Sequence, residues 1–308
     1  MANDCALNTT PSQENSCFQN DHIQLISQYT DANTISEIKK ETKCNGPDSD
    51  ICILEKINIP TQIKSKLVRE AFKAPTSSFD KDYWLNNTEI DTVMSQLRLL
   101  YPGFAHGFIH MIDIKSFTPS NIDSFDYKVY DVNETDFPSE FKCSLIKQNI
   151  IPSDGNVSKL STYKNIPLHS YGIVCNTDSS SGSGQHWFAI FISTDKKNPE
   201  NTKKPVISIE LFNSSGGGCK NKEFENYWRL QAMNIARATG LRCTFDIVTN
   251  ITHQGDTGNC GAYSLFYIYS RLNGVHPSEF NNSQKKITDY AMQKFRKVCF
   301  RIDENSMF

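Results

Sequence analysis

No stretch of the chain approaches the ~18 consecutive apolar residues of a membrane span, and neither sign of charge dominates. In 308 residues, 32 Lys+Arg stand against 34 Asp+Glu, a net charge of −2. The first absence argues against a membrane protein. The second removes the simplest ground for a dedicated nucleic-acid binder, which usually carries a strong basic excess. No Cys-x-x-Cys pair occurs among the 10 cysteines, at 5, 17, 44, 52, 143, 175, 219, 243, 260 and 299. The paired ligand spacing of a structural zinc site is therefore missing, and no metal is expected. A small secreted disulfide scaffold would be shorter and denser in cysteine, which leaves the expectation of reduced thiols in a cytosolic compartment. Met1 to Thr10 lacks a basic start followed by an apolar stretch, so no secretory signal is read there. The Asn-x-Ser/Thr triplets at Asn8, Asn133 and Asn156 then count as composition rather than glycosylation sites. The Ser214-Ser-Gly-Gly-Gly-Cys219 stretch lacks the Lys-Ser/Thr of a phosphate-binding loop.

What is present is the 38% hydrophobic, 21% charged composition of an ordinary globular protein. Residues 1–76 read as an N-terminal arm domain, polar at first, with an amphipathic stretch from Ile23 and helical spacing from Cys52 to Phe72 interrupted by Pro60. Residues 77–308 read as the core domain. Asn87 or Thr88 caps a helix over about 88–100, with Ile90, Val93, Met94, Leu97 and Leu100 at helical spacing and Pro102-Gly103 beyond it. Runs rich in β-branched and aromatic residues at Ser170–Cys175, His186–Ser193, Val206–Phe212 and Cys243–Val248 predict strands of a largely buried sheet. Helices are predicted over Phe224–Thr239, ended by Gly240, over Gly261–Leu272, ended by Asn273-Gly274, and over about 284–297.

Cysteine chemistry requires a thiolate, a base that makes or holds it, a group that orients the base, and donors for the developing oxyanion. Cys260 lies in Thr257-Gly-Asn-Cys-Gly-Ala-Tyr, immediately ahead of an apolar helix. A thiol at a helix N-terminus feels the positive end of the dipole, which favours the thiolate. The nearby glycines would let a substrate backbone come close. Taken alone, this setting suits a packed core thiol equally well. His186 opens an apolar strand after the Ser/Gly-rich loop 179–184. Among His22, His106, His110, His169, His253 and His276, only His253, seven residues before Cys260, has a comparable setting. Asn213 closes the 206–212 strand, where an amide oxygen can orient an imidazole and where a plain turn residue is also at home. Gln254, six residues before Cys260, can offer a side-chain N–H to an oxyanion or can be a solvated loop residue.

Jointly these residues have an order: Gln185-His186-Trp187-Phe188-Ala189-Ile190, then Glu210-Leu-Phe-Asn213-Ser214, then Gln254-Gly-Asp-Thr-Gly-Asn-Cys260-Gly261. That order resembles the adenovirus-protease and SUMO-protease superfamily of cysteine peptidases. Trp84-Leu85-Asn86-Asn87 resembles the superfamily's Trp-Leu-Asn-Asp motif, so the similarity covers most of the chain. The resemblance implies an α+β fold: a papain-like, SUMO-protease-like core with a central mixed sheet flanked by helices, plus a helical N-terminal arm. It makes Cys260 the nucleophile, His186 the general base and then acid, Asn213 the orienting third member, and Gln254 an oxyanion donor beside the Cys260 backbone N–H. Trp84 and Trp187 match the aromatic pair that, in SUMO-type proteases, closes a narrow tunnel over a Gly-Gly backbone; core packing is the other reading of two large aromatics. No cofactor is implied.

Three features depart from the superfamily pattern. Asn213 stands where most SUMO proteases have Asp, which leaves orientation without negative charge, as in papain-like enzymes. Asn259 replaces a frequent Asp, and an insertion-like loop, Ser193–Pro205, lengthens the interval between His186 and Asn213. Glu210 is the alternative third member, three residues earlier on a strand where it would point away from the strand mouth. The arm, the length and the Asn together most resemble the polyprotein-processing core proteases of large cytoplasmic DNA viruses, of asfarvirus and poxvirus type. These cut structural precursors at Gly-Gly-X or Ala-Gly-X during virion maturation, in the host cytoplasm and the virion. The expected partner is then a Gly-Gly-containing polypeptide. A ubiquitin-like-protein deconjugating protease would use the same site. An effector acetyltransferase with inositol phosphate as helper, or an inactive binding module, would share the fold. Lys196, Lys197, Lys203 and Lys204 read as solvated hairpin charge rather than as a nucleic-acid site, and nothing in the sequence sets an oligomeric state.

Overall fold

The computed structural model describes residues 5–7, 16–45, 49–101, 103–106, 162–163, 166–167, 170–179, 181–197, 205–218, 222–239, 242–255 and 258–302. Asn8, Pro102, His110, Asn133, Cys143, Asn156, His169, Lys203, Lys204, Cys219 and Gly240 lie outside the described residues, as does most of the stretch between Lys197 and Pro205. The chain forms two compact units.

The first unit takes Met1–Phe79, Asp91–Leu100 and Lys294–Phe308. It holds α1 (Asn20–Ile26), α2 (Ile35–Thr42), α3 (Ser49–Lys56) and α4 (Thr61–Ala71). Thr34 starts α2 through a reciprocal cap: its hydroxyl accepts from Glu37 N, and the Glu37 carboxylate accepts from Thr34 N. The helical spacing from Cys52 onward resolves into α3 and α4, separated at Pro60. Phe18, Ile26, Ile38, Ile53, Leu54, Leu67 and Phe72 meet in one apolar core. Asp50 is buried beside it, where it accepts from Ser16 Oγ at 3.0 Å and Cys17 N at 2.6 Å. Burial pushes its carboxyl pKa up, against the pull of those two bonds. A short parallel ribbon pairs β1 (Ala74–Thr76) with β9 (Phe300–Ile302).

The expectation of reduced thiols is corrected here. Cys5 is bonded to Cys17 and Cys44 to Cys52, with Cα separations of 5.1 and 5.7 Å. Sequence spacing hides both bridges, because the partners are 12 and 8 residues apart and only the folding of the arm brings them within bonding range. Among the described residues, Cys175, Cys243, Cys260 and Cys299 form no disulfide.

The second unit takes Asp80–Ile90 and Tyr101–Gln293. Its centre is a five-stranded mixed sheet, ordered β2-β5-β6-β7-β8, made of Phe104–His106, Ser170–Asn176, Trp187–Lys197, Pro205–Phe212 and Cys243–Ile247. The β2/β5 and β7/β8 pairs are parallel, and β5/β6 and β6/β7 are antiparallel. A separate small hairpin pairs β3 (Thr162–Tyr163) with β4 (Ile166–Pro167). The remaining helices of the chain are α5 (Asn87–Leu100), α6 (Lys222–Thr239), α7 (Cys260–Leu272) and α8 (Asp289–Cys299), of which Asp91–Leu100 and the part from Lys294 onward count with the first unit. In β5 every residue is buried, the polar Ser170 and Asn176 flanking an apolar stretch from Tyr171 to Cys175. Helix α7 packs on β5 and β6, and α6 on β8, so the fold is α+β with helices against a central sheet. Gly274, at φ +80°, follows the end of α7 in the left-handed conformation that favours glycine.

Two boundaries differ from expectation. Strand β6 continues past Ser193 to Lys197, with a register shift between Ser193 and Lys196, so much of the apparent insertion is lengthened hairpin. The last helix starts at Asp289, because Asn282 caps a separate 3-10 turn over Ser283–Lys285.

Candidate active site

Antiparallel pairing of β6 and β7, with Ala189 opposite Phe212, brings the start of one strand and the end of the other to the same edge of the sheet. His186 immediately precedes the first and Asn213 immediately follows the second. Their side chains meet there, with His186 Nε2 2.8 Å from Asn213 Oδ1. The amide of Asn213 is fixed from both ends: Oδ1 also accepts from Ser215 N at 3.0 Å, and Nδ2 donates to Gly218 O at 3.1 Å. With the amide oxygen facing the ring, Nε2 carries the proton in the neutral imidazole, and Nδ1 keeps the basic lone pair. Gly216 permits the turn behind Asn213, since its φ is +82° and a Cβ there would lie 2.9 Å from the Ile251 carbonyl carbon.

Cys260 is the first residue of α7 and is fully buried. The residue after the nucleophile candidate touches the residue after the base candidate: a Cβ on Gly261 would lie 3.3 Å from Trp187 Cδ1 and 3.2 Å from Leu85 Cβ. At Gly258 a Cβ would lie 2.1 Å from Lys81 O. The space a side chain would take at these glycines thus belongs to the protein's own segment 81–85. Trp187 is buried, and its indole N–H donates to Leu85 O at 2.9 Å. Trp84, the neighbouring residue, stays 38% exposed.

Gln254 joins the same cluster through the turn after β7. Its Oε1 accepts from Ser214 Oγ at 2.7 Å, and Ser214 O accepts from His253 N at 2.8 Å and Gln254 N at 3.0 Å. The structure therefore joins His186 to Asn213 directly and Gln254 to the same turn through Ser214, and it sets Gly261, next to Cys260, against Trp187, next to His186.

Two alternatives are placed elsewhere. His253 is buried with both ring nitrogens bonded to backbone, Nε2 to Phe280 O at 2.8 Å and Nδ1 accepting from Ile287 N at 3.1 Å. Burial holds its pKa below the ordinary value, so it is a neutral structural ring. Glu210 is buried against α7, where its Oε2 accepts from Tyr267 Oη and Arg271 Nε, each at 2.7 Å, and its Oε1 accepts from the second guanidinium arm at 3.1 Å. Burial and that carboxylate push the Tyr267 hydroxyl well above its ordinary pKa, so it remains a donor. Sequence reasoning missed Asn176 and Asp178, which shape the approach to His186. Asn176 Oδ1 accepts from Asp178 N and Gln185 N, and Asp178 Oδ2 accepts from Gly184 N. The Asn/Asp in a Ser/Gly-rich loop was their one signal. Among the described residues no three metal-ligating side chains gather, and no helix is long and apolar enough to cross a membrane.

No family model matches the sequence. The SUMO-1 cysteine protease of African swine fever virus, isolate Pretoriuskop, is 30% identical over 270 residues, which cover 86% of each chain. The same viral protein from a Kenyan isolate is 29% identical over the same length. The chain belongs to the African swine fever virus SUMO-1 cysteine protease family. A crystal structure of the African swine fever virus protease superposes with a TM-score of 0.61, at 24% identity, covering 98% of this chain and 97% of that one. This SUMO-1 cysteine protease family member is accordingly a cysteine protease of α+β fold whose substrate is a polypeptide.

Proposed function

We propose that this protease is an endopeptidase that cleaves structural polyprotein precursors of a virus after Gly-Gly sites during virion maturation. The observation that carries the reading is the 2.8 Å bond from His186 Nε2 to Asn213 Oδ1, which leaves Nδ1 as the basic nitrogen of the ring. In this scheme His186 Nδ1 takes the proton of the Cys260 thiol, and the thiolate attacks the scissile carbonyl. The Gln254 amide and the Cys260 backbone N–H donate to the resulting oxyanion. Collapse expels the amine, which takes the proton from the imidazolium and leaves a thioester on Sγ. Water then loses a proton to His186, attacks the thioester, and returns the thiol. Asn213 holds the ring in register and contributes no charge.

Gly-Gly selectivity follows from the two tryptophans. Trp187 is anchored through Leu85 O, and Trp84, one residue earlier, is exposed enough to lie over a bound chain. Between two indoles only residues without a Cβ pass in extended form. The enzyme is placed in the host cytoplasm and the virion, and its two disulfides suit the particle better than a reducing cytosol.

The test is cleavage of Gly-Gly-X peptides by wild type, Cys260→Ala, His186→Ala and Gln254→Ala, with a SUMO precursor assayed in parallel. Cys260→Ala and His186→Ala are expected to fall to background, and Gln254→Ala to lose about 10²–10³ in kcat. Wild-type rates in either of the first two variants remove the assignment. Turnover of the SUMO precursor alone would support the second reading, deconjugation, which has the relatives' name behind it.

A further inference from the structure

Ser214 touches neither reacting partner by role, yet it grips Gln254 twice. Its buried hydroxyl donates to Gln254 Oε1 at 2.7 Å, and its carbonyl oxygen accepts from Gln254 N at 3.0 Å. The same turn holds the base: Asn213, one residue earlier, accepts from Ser215 N while its Oδ1 faces His186. We propose that Ser214 is the positioning residue of the oxyanion donor, binding the amide oxygen of Gln254 so that the amide nitrogen is the arm presented to the substrate carbonyl. This rests on the assignment of Gln254 above.

The physical argument concerns one torsion. A primary amide is planar, with an acceptor on one arm and two donors on the other. Rotation about its terminal torsion is roughly two-fold, so the arms exchange easily unless one is held. The donor arm stabilises developing negative charge, and the acceptor arm repels it. Holding Oε1 on Ser214 before the reaction places the donors with no reorganisation during it, which is the source of oxyanion-hole catalysis. Because Ser214 follows Asn213 directly, a single turn sets both the imidazole and the oxyanion donor.

Full-length protein is assayed with a cleaved peptide as wild type, Ser214→Ala, Gln254→Ala, the double variant and Ser214→Thr, and the rate of Cys260 alkylation by iodoacetamide is read for each by mass spectrometry. Alkylation forms no oxyanion, so it reports the Cys260–His186–Asn213 set alone. Cys243 offers no competition, since burial and nearby Asp246 push its thiol pKa up to about 12. Ser214→Ala is expected to lower kcat about tenfold, the effect of one lost hydrogen bond, with KM and alkylation unchanged. In the Gln254→Ala background the same change should cost nothing further, and Ser214→Thr, which keeps the hydroxyl, should restore kcat. Multiplying losses in the double variant, alkylation that falls with turnover, or a Thr variant as slow as Ala would each overturn the inference. If Gln254→Ala is impaired and Ser214→Ala is not, the Ser214 role alone fails. If Gln254→Ala turns over at the wild-type rate, the oxyanion assignment fails and takes this inference with it.

Discussion

In the proposed site Asn213 orients the His186 ring through its amide oxygen and brings no negative charge to it. The neighbouring histidine responds to pH in a way that can be measured separately. Burial lowers the His253 pKa from its ordinary 6.5, with the Phe280 carbonyl pulling the other way. A depressed folded-state pKa means that the stabilisation is complete above the unfolded value of 6.5 and is lost as pH falls through the lower folded value. Protonation would also set an N–H of the ring against Ile287 N, which now donates to Nδ1. We expect the thermal midpoint to drop on acidification below 6.5, with a shallower acid slope in His253→Gln. Equal slopes in thermal melts across pH 5–8 would show that His253 is not the titrating group. At this scale the sequence displayed the residue types and their order, and the order singled out His186 as the candidate among seven histidines. It did not display the loop bonds of Asn176 and Asp178 or the clamp of Ser214 on Gln254. Those depend on which arm of an amide faces inward, and no spacing encodes that.

Asn213 follows strand β7 and Cys260 opens helix α7, and a largely buried ion pair ties the two elements. Arg271 meets Glu210 through two arms, donates to Val275 O from the third nitrogen and lies over the Phe191 ring, while Phe212 stacks on Tyr267 with ring centroids 4.5 Å apart. Removing one charge leaves the other buried and unpaired, which costs about 3–5 kcal/mol, whereas replacing both with apolar groups is often close to neutral. Glu210→Leu is therefore expected to destabilise by that amount in urea titrations, and Glu210→Leu with Arg271→Met to recover most of it. A double variant no more stable than the single would assign the loss to packing instead. Turnover should follow stability in the single variant, because the strand and helix it separates lead to the proposed orienting Asn213 and the proposed nucleophile Cys260. The long elements were legible because burial leaves a strong imprint: β5 and α7 are apolar on nearly every side. Strands β1, β2 and β9, at three residues each, are shorter than any period that could announce them. Helix α2 lies in a polar stretch, where its Thr34 and Glu37 cap was the available cue.

Across the whole chain, the chemistry demands opposite things of its cysteines. As the proposed nucleophile Cys260 must stay a thiol, and it forms no disulfide, whereas Cys5, Cys17, Cys44 and Cys52 are held as disulfides in the other unit. The bridges close loops of 12 and 8 residues around a small helical core. Loops of that size are worth about 2–3 kcal/mol each through the unfolded chain entropy they remove. Reductant should thus have two effects of opposite sign: it protects turnover by keeping Cys260 reduced, and it destabilises the N-terminal unit once the bridges open. We expect activity to rise with low reductant, and the thermal midpoint to fall at high reductant. Cys5→Ser with Cys17→Ser should reproduce the fall without reductant. Non-reducing peptide maps should show Cys5 linked to Cys17 and Cys44 linked to Cys52. Four free thiols in those maps, together with a melting curve indifferent to reductant, would mean that the N-terminal unit stands on its apolar core alone.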